Sequence, residues 1–173
     1  MANRNYDVQF NGVTIVTTIT NSSLLIDAVL KELGSKHVIG LNIQWSSSSD
    51  SNNKVATLQL CHDKRCIIIQ LLHLDFIPDS LRNLLLLCWL GHELGSLMAF
   101  YATSQRFGMQ SGGGGGGGLV SSTIQQIVGL SIEELEYVID HSDWSANILT
   151  NEQIKVAAID AYASFAIGKM LFG

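Results

Sequence analysis

Asn42 and Gln44 lie two apart in the apolar run 38–45, Val-Ile-Gly-Leu-Asn-Ile-Gln-Trp. In a β-strand that spacing sends both side chains to one face. Each is the neutral, nearly isosteric amide of a carboxylate. As Asp and Glu, the pair would offer hard anionic oxygens to a divalent cation such as Mg²⁺. As amides, they donate and accept hydrogen bonds but carry no charge. A second constellation lies near the C-terminus, where Val156 and Asp160 are four residues apart and share one helical face. Glu93, beside His92, is a third candidate oxygen ligand. Cys61-His62 with Cys66 supplies three zinc-type donors. No second ligand cluster completes a zinc site, so a hairpin with buried thiols is the expected outcome.

The elements that must position these residues follow from periodicity and turn chemistry. Alternating residues at 6–10 and 13–20 flank Asn11-Gly12, the signature of a hairpin with a type I′ turn. Asn21-Ser22-Ser23 caps a helix over 24–33, and Gly34 stops it. A buried strand is predicted over 38–45, then a polar loop over 46–53. Two strands, 54–61 and 66–71, are joined by the charged turn His62-Asp63-Lys64-Arg65. Pro78-Asp79-Ser80 opens a short helix, and 85–90 suggests a further buried strand, although its leucines could equally continue the helix. Residues 93–107 are helix-compatible. The seven glycines 112–118 are expected to act as a linker, replacing or bridging a loop, because glycine loses the most backbone entropy on ordering. Helices are expected over 121–128, 132–139 and 151–171, the last opened by a Thr150/Gln153 capping box.

The 173 residues suffice for one domain with a sizeable core. The chain is 47% hydrophobic and 14% charged. That balance points to a large core or to an apolar face buried in an oligomer. A net charge of −5 gives no bulk attraction to nucleic acid, so such binding needs a local basic patch. The polar N-terminus shows no secretory signal, and the longest apolar run, 84–90, is too short to cross a bilayer. Three cysteines, an odd number, suit a reducing compartment, with a cytoplasmic and/or nuclear location expected and no membrane partner.

Several segments together resemble one family. Gly40-Leu-Asn-Ile-Gln-Trp45, the hairpin strands 54–61 and 66–73, the turn and helix at 75–82, and Asp160-Ala-Tyr-Ala-Ser-Phe-Ala-Ile-Gly-Lys169 match successive motifs. They are similar to the plant Werner-syndrome-like and RNase D-like 3′–5′ exonuclease domain, of the Asp-Glu-Asp-Asp type and Tyr subclass. The similarity covers 7–171 apart from the surroundings of the glycine run. It implies an α/β fold: an RNase H-like mixed sheet of about five strands flanked by helices. Asn42 and Gln44 would lie on its middle strand, with Asp160 a few ångströms away on a facing helix. In such enzymes four carboxylates hold two divalent ions roughly 4 Å apart, which clamp the attacking and leaving oxygens. A Tyr or His positions the water.

Carried over by position, the resemblance puts the first Asp at Asn42 and its Glu partner at Gln44. The second-motif Asp falls at Glu93, the water-positioning Tyr at Val156 and the last Asp at Asp160. Only Asp160 matches in kind; any residual metal binding would rest on Asp160 and Glu93.

The resemblance therefore implies a catalytically degenerate 3′–5′ exonuclease-like protein. Such a protein would bind single-stranded RNA or DNA, assemble as a homo-oligomer, or join active paralogues as a hetero-oligomer. The edge of the 13–20 strand and Met170, Leu171 and Phe172 are candidate contacts. No cofactor is expected; Mg²⁺ or Mn²⁺ would be needed for residual activity. The alternatives are a residual metal-dependent exonuclease and an engineered inert exonuclease. Paired Asn and Gln replacements and the glycine run favour engineering, whereas Val156 speaks against it.

Overall fold

The computed structural model describes residues 3–36, 38–46, 54–90 and 141–172. Asn11 and Gly12 both take positive φ, 44° and 76°, as a type I′ turn requires. They join β1 (Arg4–Phe10) to β2 (Val13–Thr20), with Phe10 opposite Val13. Ser22 caps α1 (Ser23–Leu33), its hydroxyl accepting the Leu25 N–H, and Gly34 closes the helix. β3 (Gly40–Trp45) follows, then β4 (Val55–His62) and β5 (Arg65–Gln70). α2 spans Asp79–Leu90 and α3 spans Asn151–Phe172.

The five strands form one mixed sheet in the order β1-β2-β5-β4-β3. β2 and β5 run parallel; the other neighbours are antiparallel. Strand alternation divides the core in two. On one face Ile15, Ile19, Cys61, Cys66 and Ile68 pack against α3 through Ile154, Ala157, Ala158 and Ala161. On the other, Leu41, Leu58, Leu60, Ile67 and Ile69 pack against Ile26 and Leu30 of α1 and Leu81 of α2. This is the predicted α/β sheet flanked by helices.

Three expectations are corrected. Among the described residues β3 is an end strand of this sheet, not its middle strand. Residues 85–90 continue α2 as helix rather than forming a strand, so among the described residues nothing extends the sheet beyond β3. A leucine run cannot signal its own period, and the helix opened at Asp79 propagates through it. Nor is β2 a free edge: it lies between β1 and β5. The regions expected to be helical at 93–107, 121–128 and 132–139, and the glycine run, lie outside the described residues.

The start of α3 is held firmly. In the predicted capping box, the Gln153 N–H donates to Thr150 Oγ1 at 3.2 Å and the Thr150 N–H donates to Gln153 Oε1 at 2.8 Å. The Gln153 side-chain amide also donates to the Asp143 carbonyl at 2.9 Å. Gln70, at the end of β5, donates to the Ala146 carbonyl at 2.9 Å. Trp144 is buried within the core on this face. The segment before α3 therefore ties the helix to the sheet.

Further along, α3 lies against β3 at Gly40. A Cβ there would meet the Ala161 carbonyl oxygen at 2.1 Å and the Phe165 nitrogen at 2.4 Å. Both are backbone atoms and cannot swing away. Gly40→Ala is expected to lower the unfolding free energy by about 3 kcal/mol or more, at the upper end of overpacking costs. Gly12→Ala meets open space and only its positive φ, and should cost about 1 kcal/mol. Urea unfolding of the two variants checks this; equal losses would refute the close-approach account.

Candidate functional site

Asn42 on β3 and Asp160 on α3 meet directly. The Asn42 Nδ2 donates to Asp160 Oδ2 at 2.8 Å, across 118 positions of sequence. Asn42 Oδ1 accepts the Ile43 N–H at 2.9 Å, which fixes the orientation of the amide. Asn42 is buried and Asp160 partly so. Alternation puts Gln44 on the same face, also buried. Among the described residues its Nε2 has no hydrogen-bond partner. Val156 lies one turn before Asp160 on α3 and is buried in the α3-side core. Glu93 and His92 lie outside the described residues.

Two further polar residues adjoin Asn42 and Gln44. In the β3–β4 register Gln59 is opposite Asn42 and Thr57 is opposite Gln44. Both are fully buried, and Gln59 Nε2 donates to Thr57 Oγ1 at 2.6 Å. Gln59 Oε1 has no partner among the described residues. The Thr57-Leu-Gln-Leu-Cys61 alternation marks these residues as sharing a face. Their position beside Asn42 depends on the strand register, which no local signal states.

Burial pushes the Asp160 carboxyl from its ordinary 3.8 up to about 7, and the Asn42 hydrogen bond offsets part of that rise. The donor set is therefore one carboxylate, itself hard to ionise, with a neutral amide pointing N–H at it. Among the described residues no group of three or more His, Cys, Asp or Glu side chains could hold a metal ion. A two-ion centre needs several anionic oxygens. Asn42, Gln44 and Asp160 do not fit one. What they can do is donate and accept hydrogen bonds on a buried polar strip.

No family model and no curated protein sequence matches the chain. Solved structures do match. The exonuclease domain of Aedes aegypti Nibbler aligns with a TM-score of 0.56 at 14% identity, covering 96% of this chain and 93% of that domain. Escherichia coli RNase D, an exoribonuclease involved in structured RNA processing, aligns with a TM-score of 0.60 at 16% identity. That match covers 88% of this chain and 43% of the enzyme. The catalytic core of RRP6 from Trypanosoma brucei aligns with a TM-score of 0.61 at 11% identity, covering 95% and 48% respectively. This chain thus has the RNase H-like fold of 3′–5′ exonuclease domains. It spans less than half the length of the last two structures.

The Asp160 shift has a sign that can be tested. Between pH 3.8 and about 7 the folded protein holds a proton at this site that the unfolded chain has released. The group's stabilising contribution is complete below 3.8, falls as pH rises and is gone above about 7. Asp160→Asn removes the titration. Its unfolding free energy, followed by urea titration across that range, should decline less with pH than that of the unchanged protein. Parallel profiles would contradict the buried-carboxyl account.

Proposed function

We propose that this chain is a catalytically degenerate 3′–5′ exonuclease-like domain, of the kind related to the plant Werner-syndrome-like group. It binds single-stranded nucleic acid without cleaving it. The observation that carries the proposal is the 2.8 Å hydrogen bond from the Asn42 amide to Asp160. An N–H group takes the place where a metal-holding site needs a second anionic oxygen. Gln44 repeats the substitution on the same face, and Val156 has no hydroxyl with which to orient a water. The likeness to an exoribonuclease fold supports RNA as the ligand class. Assembly with another copy or with active relatives belongs to the same proposal. The exposed apolar side chains of Leu24, Phe76, Ile77 and Met170 are consistent with it.

Fluorescence anisotropy with a labelled single-stranded RNA in excess chelator tests the binding. Saturable binding is expected in chelator, and Mg²⁺ or Mn²⁺ should produce no shortening of the strand on a denaturing gel. Chelator-sensitive trimming that Asp160→Ala abolishes would overturn the proposal in favour of a residual nuclease. Absence of RNA and DNA binding would remove the nucleic-acid function.

The paired reversion Asn42→Asp with Gln44→Glu is expected to create calorimetrically detectable Mn²⁺ binding where the unchanged protein gives none. It restores two anionic ligands beside Asp160. Activity should lag behind, because Val156 is unchanged. A double revertant blind to Mn²⁺ would show that these positions do not form the ancestral metal site.

A further inference from the structure

Cys61 and Cys66 occupy facing positions on β4 and β5. Both are free and buried. The turn between them is two residues long, Asp63-Lys64, and Asp63 takes φ 53°. His62 and Arg65 form the closing rung, so Cys61 and Cys66 form the next one. A two-residue turn closes on a hydrogen-bonded rung, and rungs alternate. The cysteine rung is therefore of the non-hydrogen-bonded kind, with Cα atoms about 4.5 Å apart. A disulfide accepts Cα separations from about 4.4 Å upward. The Cys61 thiol donates to the Asp63 carbonyl oxygen, with Sγ and O 3.5 Å apart.

From this geometry we infer that Cys61 and Cys66 form a reversible dithiol–disulfide pair, a modification site at the tip of the β4–β5 hairpin. The co-reactant is a low-molecular-weight disulfide such as oxidised glutathione. One cysteine thiolate attacks a glutathione sulfur, releasing one reduced glutathione and forming a mixed disulfide. The second cysteine then attacks the protein sulfur and releases the other glutathione. One S–S bond forms in the protein, one S–S bond of the oxidant is broken, and two protons leave the protein thiols.

Two features set the character of the pair. The adjoining Cys66 thiol and burial both raise the Cys61 thiol well above its ordinary range, so the closed hairpin resists attack. Access comes from the tip, where Asp63, Lys64 and Arg65 are exposed and only one rung separates the cysteines from solvent. Facing Cβ atoms in a sheet begin about 4.5 Å apart or more, at the outer limit of disulfide geometry. Closing the bond tilts the two Cβ atoms toward each other at a nearly fixed Cα separation and leaves it strained, hence easily reduced again. Cys61 also faces Gly40 across β3–β4, so the staple would lie in the same rung as the close approach of α3.

The full chain, reduced and then incubated natively with oxidised glutathione at pH 8, tests this. After acid quenching, denaturation and alkylation, trypsin cuts at Lys64 and Arg65, between the two cysteines. Cys88 falls in a third peptide. The expected product is a disulfide-linked pair of the Cys61 and Cys66 peptides, two hydrogens lighter than their sum and separated by dithiothreitol. Cys61 and Cys66 recovered as alkylated thiols would overturn the inference. So would stable glutathione adducts on either cysteine without bridging, or a bond from either to Cys88, whose helix packs with α1 on the far side of the sheet.

Discussion

Everything at this site depends on how closely α3 lies on β3. The helix backbone passes so near Gly40 that there is no room for a methyl group. Its contact face is built largely from Ala157, Ala158 and Ala161, whose small side chains keep the interaxial distance short. Only at that distance can a residue as short as Asn42 reach Asp160 in a single hydrogen bond. The capping box at Thr150 and Gln153, and the tether from Gln70 to Ala146, fix where along the strand the helix begins. Rotation and height of Asp160 are thus set by contacts at both ends.

The amides change the electrostatics of that meeting point. Carboxylates at positions 42, 44 and 160 would repel one another at this spacing unless cations stood between them. An Asn42 amide turns the closest of these contacts into an attraction, a hydrogen bond to an acidic group. The Asn42 hydrogen bond stabilises the Asp160 charge, but burial dominates its ionisation.

The polar strip is nevertheless incompletely satisfied. Gln44 Nε2 and Gln59 Oε1 are buried and unpartnered among the described residues. A buried polar atom left without a partner costs about 1–3 kcal/mol. Apolar side chains of similar size would fill the space at lower cost. The strip of Asn42, Gln44, Thr57 and Gln59 is thus a polar seam buried on the α3 face of the sheet.

Local chemistry alone dictates much of this arrangement. Asn11-Gly12 can only turn one way, and Thr150 with Gln153 can only open a helix, so both appear where the residues put them. Two-residue alternation is enough to place Asn42 and Gln44 on a common face, and the Cys61/Cys66 hairpin carries its buried thiols as expected. Strand order is not legible in this way. The leucines of 85–90 satisfy both periods, and it is the helix already running from Asp79 that claims them, which leaves β3 at the end of the sheet among the described residues. Parallel pairing of β2 with β5, which makes β2 an interior strand, is likewise a long-range contact with no signal in either strand alone. The neighbours Thr57 and Gln59, and the amide-to-acid bond from Asn42 to Asp160, exist only once register and helix height are fixed. Residue types dictate what each segment can donate, accept or bury. Non-local packing, through the missing Cβ of Gly40, decides which of those groups meet.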